Sequence, residues 1–273
     1  MIGDMQKWTP NVAGIIEHAR EIHPKTEIIS RLVSGEIHRS NYEKVCIRSR
    51  KLASALEKDG VKKGDVIATL ALNTYRHLEM YYGISGMGAI THTLNFRLHP
   101  EQAVYIINHA EDKIIFVELP FVPILEALQE NLKTVEKYVV LCEVDEMPET
   151  TLKNAISYEE YIQDGDENYS WPTLEDDAAC ALCYTSGTTG NPKGVLYSHK
   201  SNVIHAQAAL TAMTIKPDDT ILMVVPLFHV LAWGIPYFGP MNGLKLVMPG
   251  MQMEGEPLFE LIDQEDVTLA FGV

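Results

Sequence analysis

The sequence predicts an α/β fold in which mostly parallel, doubly wound sheets are flanked by helices. Two patterns in the 273 residues indicate this. Short apolar runs alternate with stretches of helical periodicity, as expected when each strand of a parallel sheet is followed by a crossover helix. The run "DVIATLAL" (65–72) is almost entirely apolar, which is typical of a strand covered on both faces. A hydrophobic content of 46% with 22% charged residues is that of an ordinary globular chain.

The first predicted elements are a helix, a hairpin and a second helix. Helical periodicity predicts the first helix near Asn11–Ile22. The segment "TEIISRLVSGEIHR" predicts a hairpin that turns at Ser34–Gly35. Ser40 and Glu43 have the spacing of a capping box, which predicts the start of a helix that stops near Gly60.

Beyond this helix, strands and helices alternate to the end of the chain. The predicted strands are "DVIATLAL", "AITHTL", "KIIFVE", "KYVVLC", "AACALCY", "VLYSH", "TILMVV", "LKLVM" and "VTLAFG". The predicted helices lie near 75–87, 100–110, 124–130 and 200–210 and in "PLFELIDQ". Strands separated by helices of this length favour parallel pairing over an all-β architecture.

The charge pattern argues against nucleic acid as a partner, since the net charge is −15 and the sequence pI is about 5.0. Much of the acid lies between Glu143 and Asp177, where twelve Asp or Glu residues accompany a single lysine, Lys153. The acids follow no calcium-loop spacing. This stretch is therefore interpreted as a solvated surface connection and not as a metal site.

Two features predict a cytoplasmic protein. The N-terminal "MIGDMQKWTP" lacks the basic and apolar regions of a signal peptide, and the use of four cysteines is typical of a reducing compartment. Cys180 and Cys183 form a lone C-x-x-C pair. Residues i and i+3 of a strand point to opposite faces, so two diverging, buried thiols are favoured over a redox or zinc site.

The segment Thr220–Leu244 imitates a membrane span. It contains no Asp, Glu, Lys or Arg, and its length would suffice. Its prolines and glycines argue against one continuous helix. We therefore expect no transmembrane segment here, but a buried, irregular stretch that lines a site.

The stretch "TSGTTGNPKG" (185–194) is the clearest functional signal. Backbone N–H groups of a turn rich in Gly, Ser and Thr bind anions, the hydroxyls add donors, and Lys193 supplies a positive charge. The pattern predicts a strand-flanked loop that holds phosphates. It is not a Walker A loop, because Pro192 stands where the second glycine belongs and Gly194 follows the lysine. A plain hairpin turn would not need four hydroxyls and a lysine.

Three segments resemble a known family. "YTSGTTGNPKGVLYSH" (184–199) is similar to the signature phosphate loop of the adenylate-forming superfamily, which comprises acyl-CoA synthetases, firefly luciferases and peptide-synthetase adenylation domains. "PLFHVLAWGIPYFGPMNGLKLVMPG" (226–250) and "LNFRLHPEQAVYIINHAEDK" (94–113) resemble the branch of medium- and long-chain fatty acyl-CoA synthetases (AMP-forming). The resemblance covers essentially the whole chain, but only about the first half of a typical family member.

The resemblance implies a partial AMP-binding N-terminal domain over residues 1–273. A first α/β subdomain would occupy about 40–215, and a second would begin at about 216–273 with an incomplete sheet. The adenine-binding segment, the ribose-binding aspartate and the C-terminal domain with its catalytic lysine would lie beyond Val273. We therefore expect a chain cut within a larger protein, which does not by itself turn over ATP at a normal rate. Acid-dependent pyrophosphate release tests this expectation.

In the family, a carboxylate attacks the α-phosphate of Mg-ATP, and the thiol of coenzyme A then displaces AMP from the acyl adenylate. The resemblance therefore implies a carboxylic acid, ATP, Mg²⁺ and coenzyme A as ligands, and homodimers occur in the branch. It implies that the β- and γ-phosphates are held by Ser186, Gly187, Thr188, Thr189, Gly190 and Lys193. Thr185 would ligate Mg²⁺, and His229 would lie near the carbonyl group of the adenylate. Lys193 and His229 are thus the candidate catalytic residues.

For the acyl side, the resemblance implies that Val230 borders the nucleotide and that Trp233 gates a fatty-acid tunnel. Taken alone, Trp233 would be interpreted as a core aromatic, and His229 could equally be a core histidine. Three other functions stay open. They are a ligase for a short or methylthio-substituted acid, a non-catalytic nucleotide- or polyphosphate-binding module, and a phosphotransferase with an unusual P-loop, which the loop spacing disfavours.

Overall fold

The computed structural model describes residues 4–5, 8–175, 177–185 and 191–272. The α-helices in these residues are α1 (Val12–Ile22), α2 (Tyr42–Lys58), α3 (Tyr75–Gly86), α4 (Pro100–Ala110), α5 (Val122–Leu128), α6 (Tyr158–Gln163), α7 (His199–Ala212), α8 (Ile235–Asn242) and α9 (Gly255–Gln264). The strands are β1 (Glu27–Arg31), β2 (Ile37–Asn41), β3 (Val66–Leu70), β4 (Ile90–Thr93), β5 (Ile114–Val117), β6 (Lys137–Val140), β7 (Ala155–Ser157), β8 (Ala179–Thr185), β9 (Lys193–Ser198), β10 (Thr220–Leu222), β11 (Lys245–Met248) and β12 (Leu269–Ala270).

The larger sheet has seven strands in the order β7-β6-β5-β3-β4-β8-β9. Its neighbouring strands are parallel except at one edge, where β8 and β9 pair antiparallel. The antiparallel pair is joined by the predicted phosphate loop. The loop therefore follows the carboxyl end of β8, and parallel α/β sheets bind ligands at the carboxyl ends of their strands.

The smaller sheet has five strands in the order β12-β10-β11-β1-β2. The predicted N-terminal hairpin forms, with Gly35 at a positive φ of 88° in its turn. Its first strand pairs in parallel with β11, so that Ile28 lies beside Leu246. The hairpin thus belongs to the same sheet as the last strands of the chain.

Helices cover both faces of both sheets, which confirms the doubly wound, mostly parallel architecture. On the larger sheet, α4 and α5 pack against one face, and α2, α3 and α6 pack against the other. The largest apolar cluster lies between the two sheets and contains side chains of α1, α3, α7 and α8. On the outer face of the smaller sheet, Leu261 of α9 packs against Ile29 and Val247.

The predicted helix starts are confirmed at α1 and corrected at α2. Asn11 caps α1, because its Oδ1 accepts a hydrogen bond from the Gly14 amide at 2.7 Å. At α2 the cap is Asn41, whose Oδ1 accepts from the Lys44 amide at 2.9 Å. The prediction of a Ser40 cap is wrong, since Ser40 is still paired with Ile28 inside the hairpin.

The C-x-x-C thiols are free and buried, as predicted, but they do not diverge. Both sulfurs belong to the apolar cluster between the sheets. A β-bulge between Ala179 and Ala181 adds one unpaired residue, Cys180, and so breaks the alternation of faces on which the prediction rested. Among the described residues, no group of three or more His, Cys, Asp or Glu side chains could hold a metal ion.

The charge-free segment at 220–244 is irregular, as predicted. It contains β10, a tight turn and α8, which has 8 residues. In the part of the chain that the structure describes, no helix is both long and apolar enough to cross a membrane. The segment is buried between the two sheets for most of its length.

The acidic stretch is only partly the solvated connection that its composition suggested. Glu159 forms ion pairs with Arg48 and Arg76, at 2.8 and 3.0 Å, and its side chain is only 17% exposed. Glu143 also pairs with Arg76, at 2.5 Å. These bonds fasten the stretch to α2 and α3. The interpretation as a solvated connection is therefore wrong for Glu159, whose arginine partners on α2 and α3 could not be read from local composition.

Candidate phosphate and acyl site

A crevice of about 240 Å³ lies where the loop-bearing strands meet the segment before α8. Its walls come from β4 and the chain after it, from α4, from both ends of the phosphate loop and from the segment 228–230. The lining residues are Thr93, Asn95, Leu98, Gln102, Ile106, Cys183, Tyr184, Thr185, Pro192, Tyr197, Phe228, His229 and Val230. The two motifs that were separate in the sequence therefore face one space.

The described ends of the phosphate loop are held by the β8–β9 ladder. Thr185 is the last residue of β8 and pairs with Lys193, the first residue of β9. The Thr185 hydroxyl donates to the Lys193 carbonyl at a long 3.5 Å, and both side chains are exposed. The five candidates Ser186, Gly187, Thr188, Thr189 and Gly190 lie outside the described residues.

Gly194 leaves room for the side chains of the neighbouring strand. A Cβ at this position would lie 3.0 Å from Leu182 Cδ1 and 3.3 Å from the Tyr184 ring. The Tyr184 hydroxyl reaches across the crevice wall to α4, 2.6 Å from Nδ1 of His109. The ladder, the glycine and this contact fix the two described ends of the loop, Thr185 and residues 192–194.

A run of left-handed residues follows His229 and begins at Val230, which lines the crevice. The φ angles are 46°, 51°, 47°, 56° and 83° at Val230, Leu231, Ala232, Trp233 and Gly234. Only the last of these is a residue that adopts positive φ without strain. Each of the other four costs about 1–2 kcal/mol, so surrounding contacts must impose the turn.

Burial and hydrogen bonds on both sides hold the turn. Leu231 and Ala232 are 2% and 0% exposed in the cluster between the sheets. Burial raises the pKa of the Cys183 thiol, and hydrogen bonds from Thr93 and from the backbone of Leu231 and Val230 oppose part of the rise. His205 Nε2 donates to the Trp233 carbonyl at 3.2 Å. The turn is thus clamped between β8 and α7.

The turn separates the crevice from a second, more apolar cavity of about 360 Å³. Val230 and Tyr197 line both spaces. Trp233 is 37% exposed and lines only the second cavity, with Ser201, Asn202, His205, Leu231 and Gly234. A ligand with a polar head and an apolar tail could occupy both spaces around Val230.

The comparisons with known proteins agree with this architecture. The family model described as "AMP-binding enzyme" matches residues 16–273. The chain belongs to the AMP-binding enzyme family. Two solved structures share the fold of this AMP-binding chain at low identity. They are the anthranilate CoA ligase AuaEII with anthranoyl-AMP (TM-score 0.87, 22% identity, 100% of this chain and 51% of that one) and the N-terminal domain of FACL13 from Mycobacterium tuberculosis (TM-score 0.82, 24% identity, 96% and 62%).

Curated relatives of this AMP-binding chain are acyl-CoA ligases. A medium-chain-fatty-acid–CoA ligase of Ectopseudomonas oleovorans is 45% identical over 100% of this chain and 50% of the relative. A 3-methylmercaptopropionyl-CoA ligase of Ruegeria pomeroyi is 43% identical (100% and 51%), and a long-chain-fatty-acid–CoA ligase of Thermus thermophilus is 41% identical (96% and 47%). The chain spans about half the length of the curated relatives it matches.

Of the predicted site residues of this AMP-binding chain, Thr185, His229 and Val230 share the crevice. Lys193 adjoins it through its pairing with Thr185, and Trp233 lines the neighbouring cavity. Two other histidines near the site, His199 and His205, make structural contacts. His199 Nδ1 accepts from the buried Val12 amide, and His205 clamps the turn.

Sequence reasoning missed the side chains that position His229. Asn73 Nδ2 donates to the carbonyl groups of Met223 and Val225, and its Oδ1 accepts from the Leu227 amide at 2.8 Å. Tyr81 donates to the Leu227 carbonyl, and Thr93 to that of Phe228. The signal available in the sequence was a polar residue directly after an apolar strand.

Proposed function

We propose that this chain is the phosphate- and acyl-binding part of a fatty acid–CoA ligase (AMP-forming). The full protein would convert a medium- or long-chain acid, with Mg-ATP, into an acyl adenylate and then, with coenzyme A, into a thioester. The observation that supports it best is the shared crevice of Thr185, His229 and Val230, with an apolar cavity behind Val230. The names of the ligases that are 41–45% identical to this chain support the substrate class.

On the phosphate side, Lys193 and the loop residues 186–190 would bind the β- and γ-phosphates of ATP. Lys193 supplies a point charge at the start of a rigid strand, which orients the phosphate chain and offsets its negative charge. The Thr185 hydroxyl fits a magnesium site in which phosphate and water oxygens are the other ligands, because Mg²⁺ prefers few protein oxygens. When bound, the metal would neutralise charge on the phosphates.

On the acid side, His229 would hold the carboxylate in the crevice, in line with the α-phosphate. Val230 would separate the nucleotide from the tail, and Trp233 would cover the apolar cavity that receives the tail. Their chief contribution is positioning, because the reaction needs the carboxylate and the α-phosphate in contact and in line. The adenine, ribose and coenzyme A contacts are assigned to the part of the relatives' length that this chain does not span. A cytoplasmic location and a homodimer belong to the same proposal.

Pyrophosphate binding by this chain tests the phosphate side without requiring turnover. Titration calorimetry with magnesium pyrophosphate is expected to give binding that Lys193→Ala weakens about 10- to 100-fold, the loss of one charge-assisted hydrogen bond. Lys216→Ala is the matched control, since Lys216 is equally exposed but lies in the turn before β10. Equal affinities for the chain and for Lys193→Ala would contradict the assignment.

A second candidate is a ligase for a short, methylthio-substituted acid. The 43% identity to a 3-methylmercaptopropionyl-CoA ligase supports this candidate. Tail burial distinguishes the two, because each buried methylene contributes about 0.8 kcal/mol. Affinities of this chain for acids of four to sixteen carbons should rise by several-fold per methylene for a long-chain site and level off early for the methylthio site. Pyrophosphate binding with no acid binding would instead favour the non-catalytic polyphosphate-binding module.

A further inference from the structure

A third cavity, of about 140 Å³, lies between α4 and α5 on one face of the larger sheet. We call it the α4 cavity. Its walls come from the carboxyl end of β3, the chain after β4, and both helices. The lining residues are Leu70, Leu94, Asn95, Phe96, Leu98, Pro100, Ala103, Ile106, Ile107, Ile124, Leu125 and Leu128. None of the site residues predicted from the sequence lies among them.

The chemistry of this lining selects a hydrocarbon occupant. Every lining side chain except Asn95 is hydrocarbon. Hydrocarbon walls offer water no hydrogen-bond partners, and an apolar cavity of about 150 Å³ accepts a molecule of the size of benzene. The α4 cavity therefore matches a group of about six carbons in both size and polarity.

The α4 cavity adjoins the phosphate crevice. Asn95, Leu98 and Ile106 line both spaces, so the segment after β4 is the wall between them. Asn95 Oδ1 accepts from the Arg97 amide at 2.9 Å. Within the described part of the chain its Nδ2 group makes no hydrogen bond, so it has two donors available at the boundary. An apolar pocket with one placed donor is the usual composition of a small-molecule site.

We propose that the α4 cavity is a second hydrocarbon-binding compartment of the crevice. It takes a short alkyl or single-ring aryl group of a ligand whose oxygen atom accepts a hydrogen bond from Asn95. This compartment is distinct from the cavity behind Trp233, to which the acyl tail was assigned, and lies on the other side of the crevice. The inference does not depend on ATP or acid chemistry.

A ligand in the α4 cavity would change the binding affinity of the crevice. The shared wall residues are packed from both sides, so a ligand that fills one side restricts their rotamers on the other. We therefore expect a hydrocarbon ligand here to change the affinity of the crevice for pyrophosphate, and pyrophosphate to change the affinity for the hydrocarbon by the same factor.

The test uses hexan-1-ol and methyl-labelled isoleucine and leucine residues of this chain, followed by NMR. Hexan-1-ol is expected to shift the methyl signals of Ile107 and Ile124, which line the α4 cavity alone, with a dissociation constant on the order of 1 mM. Leu231, in the cavity behind Trp233, should not shift at the same concentrations. Absence of shifts at Ile107 and Ile124, or earlier shifts at Leu231, would overturn the proposal.

Two variants fill the α4 cavity from different walls. Ala103→Leu and Leu128→Phe should each weaken hexan-1-ol binding at least tenfold, whereas Ala110→Leu, at the far end of the same helix, should leave it unchanged. Unaltered binding in a folded filling variant overturns the proposal. Hexane-1,6-diol needs no variant. It should bind the unmodified chain at least tenfold more weakly, because its second hydroxyl would lie among hydrocarbon side chains without a hydrogen-bond partner. Equal binding of diol and alcohol also overturns the proposal.

Discussion

Asn73 connects the two sheets with a single side chain. It follows β3 of the larger sheet, is 5% exposed, and bonds three backbone groups of the segment that leads from β10 to His229. Its own carbonyl accepts from the Gly250 amide, just after β11. The Asn73 amide donates two hydrogen bonds and accepts a third. A hydroxyl has only one proton to donate, and a carboxylate has none. Asn73 therefore sets where the crevice wall stands.

Replacing Asn73 tests this role. Asn73→Ala leaves two carbonyl groups and one amide without partners, so the free energy of unfolding should fall by about 2–4 kcal/mol. Asn73→Asp should be at least as damaging, because it sets a carboxylate against two carbonyl oxygens. Urea denaturation measures both. Asn168→Ala, at an exposed asparagine, is the control, and a loss below about 0.5 kcal/mol for Asn73→Ala would contradict the role.

At the scale of the residue, the sequence identified the candidate ligand-binding side chains, but not the side chains that hold the backbone around them. Thr185, Lys193 and His229 stand in ordered motifs, whereas Asn73, Tyr81 and Thr93 act through backbone atoms more than a hundred residues away. Their partners depend on which strand ends lie together. That arrangement follows from the order of strands in the sheets, which local patterns do not encode.

The left-handed turn at 230–234 is the least regular element of the site. Its residues include a β-branched valine and a tryptophan, neither of which favours positive φ. No local signal in the sequence predicts such a run, because burial of Leu231 and Ala232 and the clamps on Cys183 and His205 impose it. Regular helices such as α3 and α4 were predicted to within about one residue, since the signals that predict a helix are local to its own sequence.

The clamp by His205 predicts a coupling. A Cβ on Gly234 would lie 2.7 Å from the His205 ring, at a φ of 83°. Gly234→Ala should therefore cost about 2–3 kcal/mol, but only about 1 kcal/mol in a His205→Ala background, where backbone strain alone remains. Thermal and urea unfolding of the unmodified chain, the two single variants and the double variant give the coupling free energy between Gly234 and His205.

Gly255→Ala is the matched control for this cycle. Its φ is not positive and a Cβ there would meet nothing within 4 Å, so stability should change little. Equal effects of Gly234→Ala with and without His205 would show that the imidazole does not restrain the turn. Cavity access can be followed in the same variants by acrylamide quenching of Trp233, with Trp233→Phe as the blank.

On the scale of the whole molecule, helix α3 places a titratable side chain in the interior. His77 of α3 is fully buried, and desolvation lowers its pKa to about 4. Its Nδ1 donates to the Leu72 carbonyl, and its Nε2 accepts from the Thr69 hydroxyl. Only the neutral ring can accept at Nε2, and burial disfavours the charged ring, so the folded state excludes a proton that the unfolded chain binds below about pH 6.5.

The pH dependence of stability follows from this difference. The stabilising contribution is complete above about pH 6.5 and is lost progressively as the pH falls towards 4. His77→Gln keeps both bonds but not the proton site. Over this range, its free energy of unfolding should fall less steeply than that of the unmodified chain, by up to about 1.4 kcal/mol per pH unit. Met80→Leu, equally buried in α3, should keep the original slope; equal slopes for His77→Gln would contradict the assignment.

The overall class of fold was predictable from the sequence, but which strands pair in each of the two sheets was not. Apolar runs and helix signals identify each strand separately, and a parallel strand carries no mark of its neighbours. The hairpin β1–β2 has the same pattern wherever it packs. Only its pairing with β11 shows that the smaller sheet is built from both ends of the chain.

This pairing has a consequence for synthesis on the ribosome. β1 leaves the exit tunnel long before β11, because their paired residues are roughly 200 positions apart. At typical translation rates the hairpin waits on the order of ten to forty seconds for its parallel neighbour. During that interval the edge of β1 that will meet β11 is unpaired, and Ile28 and Ile29 lack their later cover. The nascent chain thus exposes an unpaired, aggregation-prone strand edge, the kind of surface that holding chaperones cover.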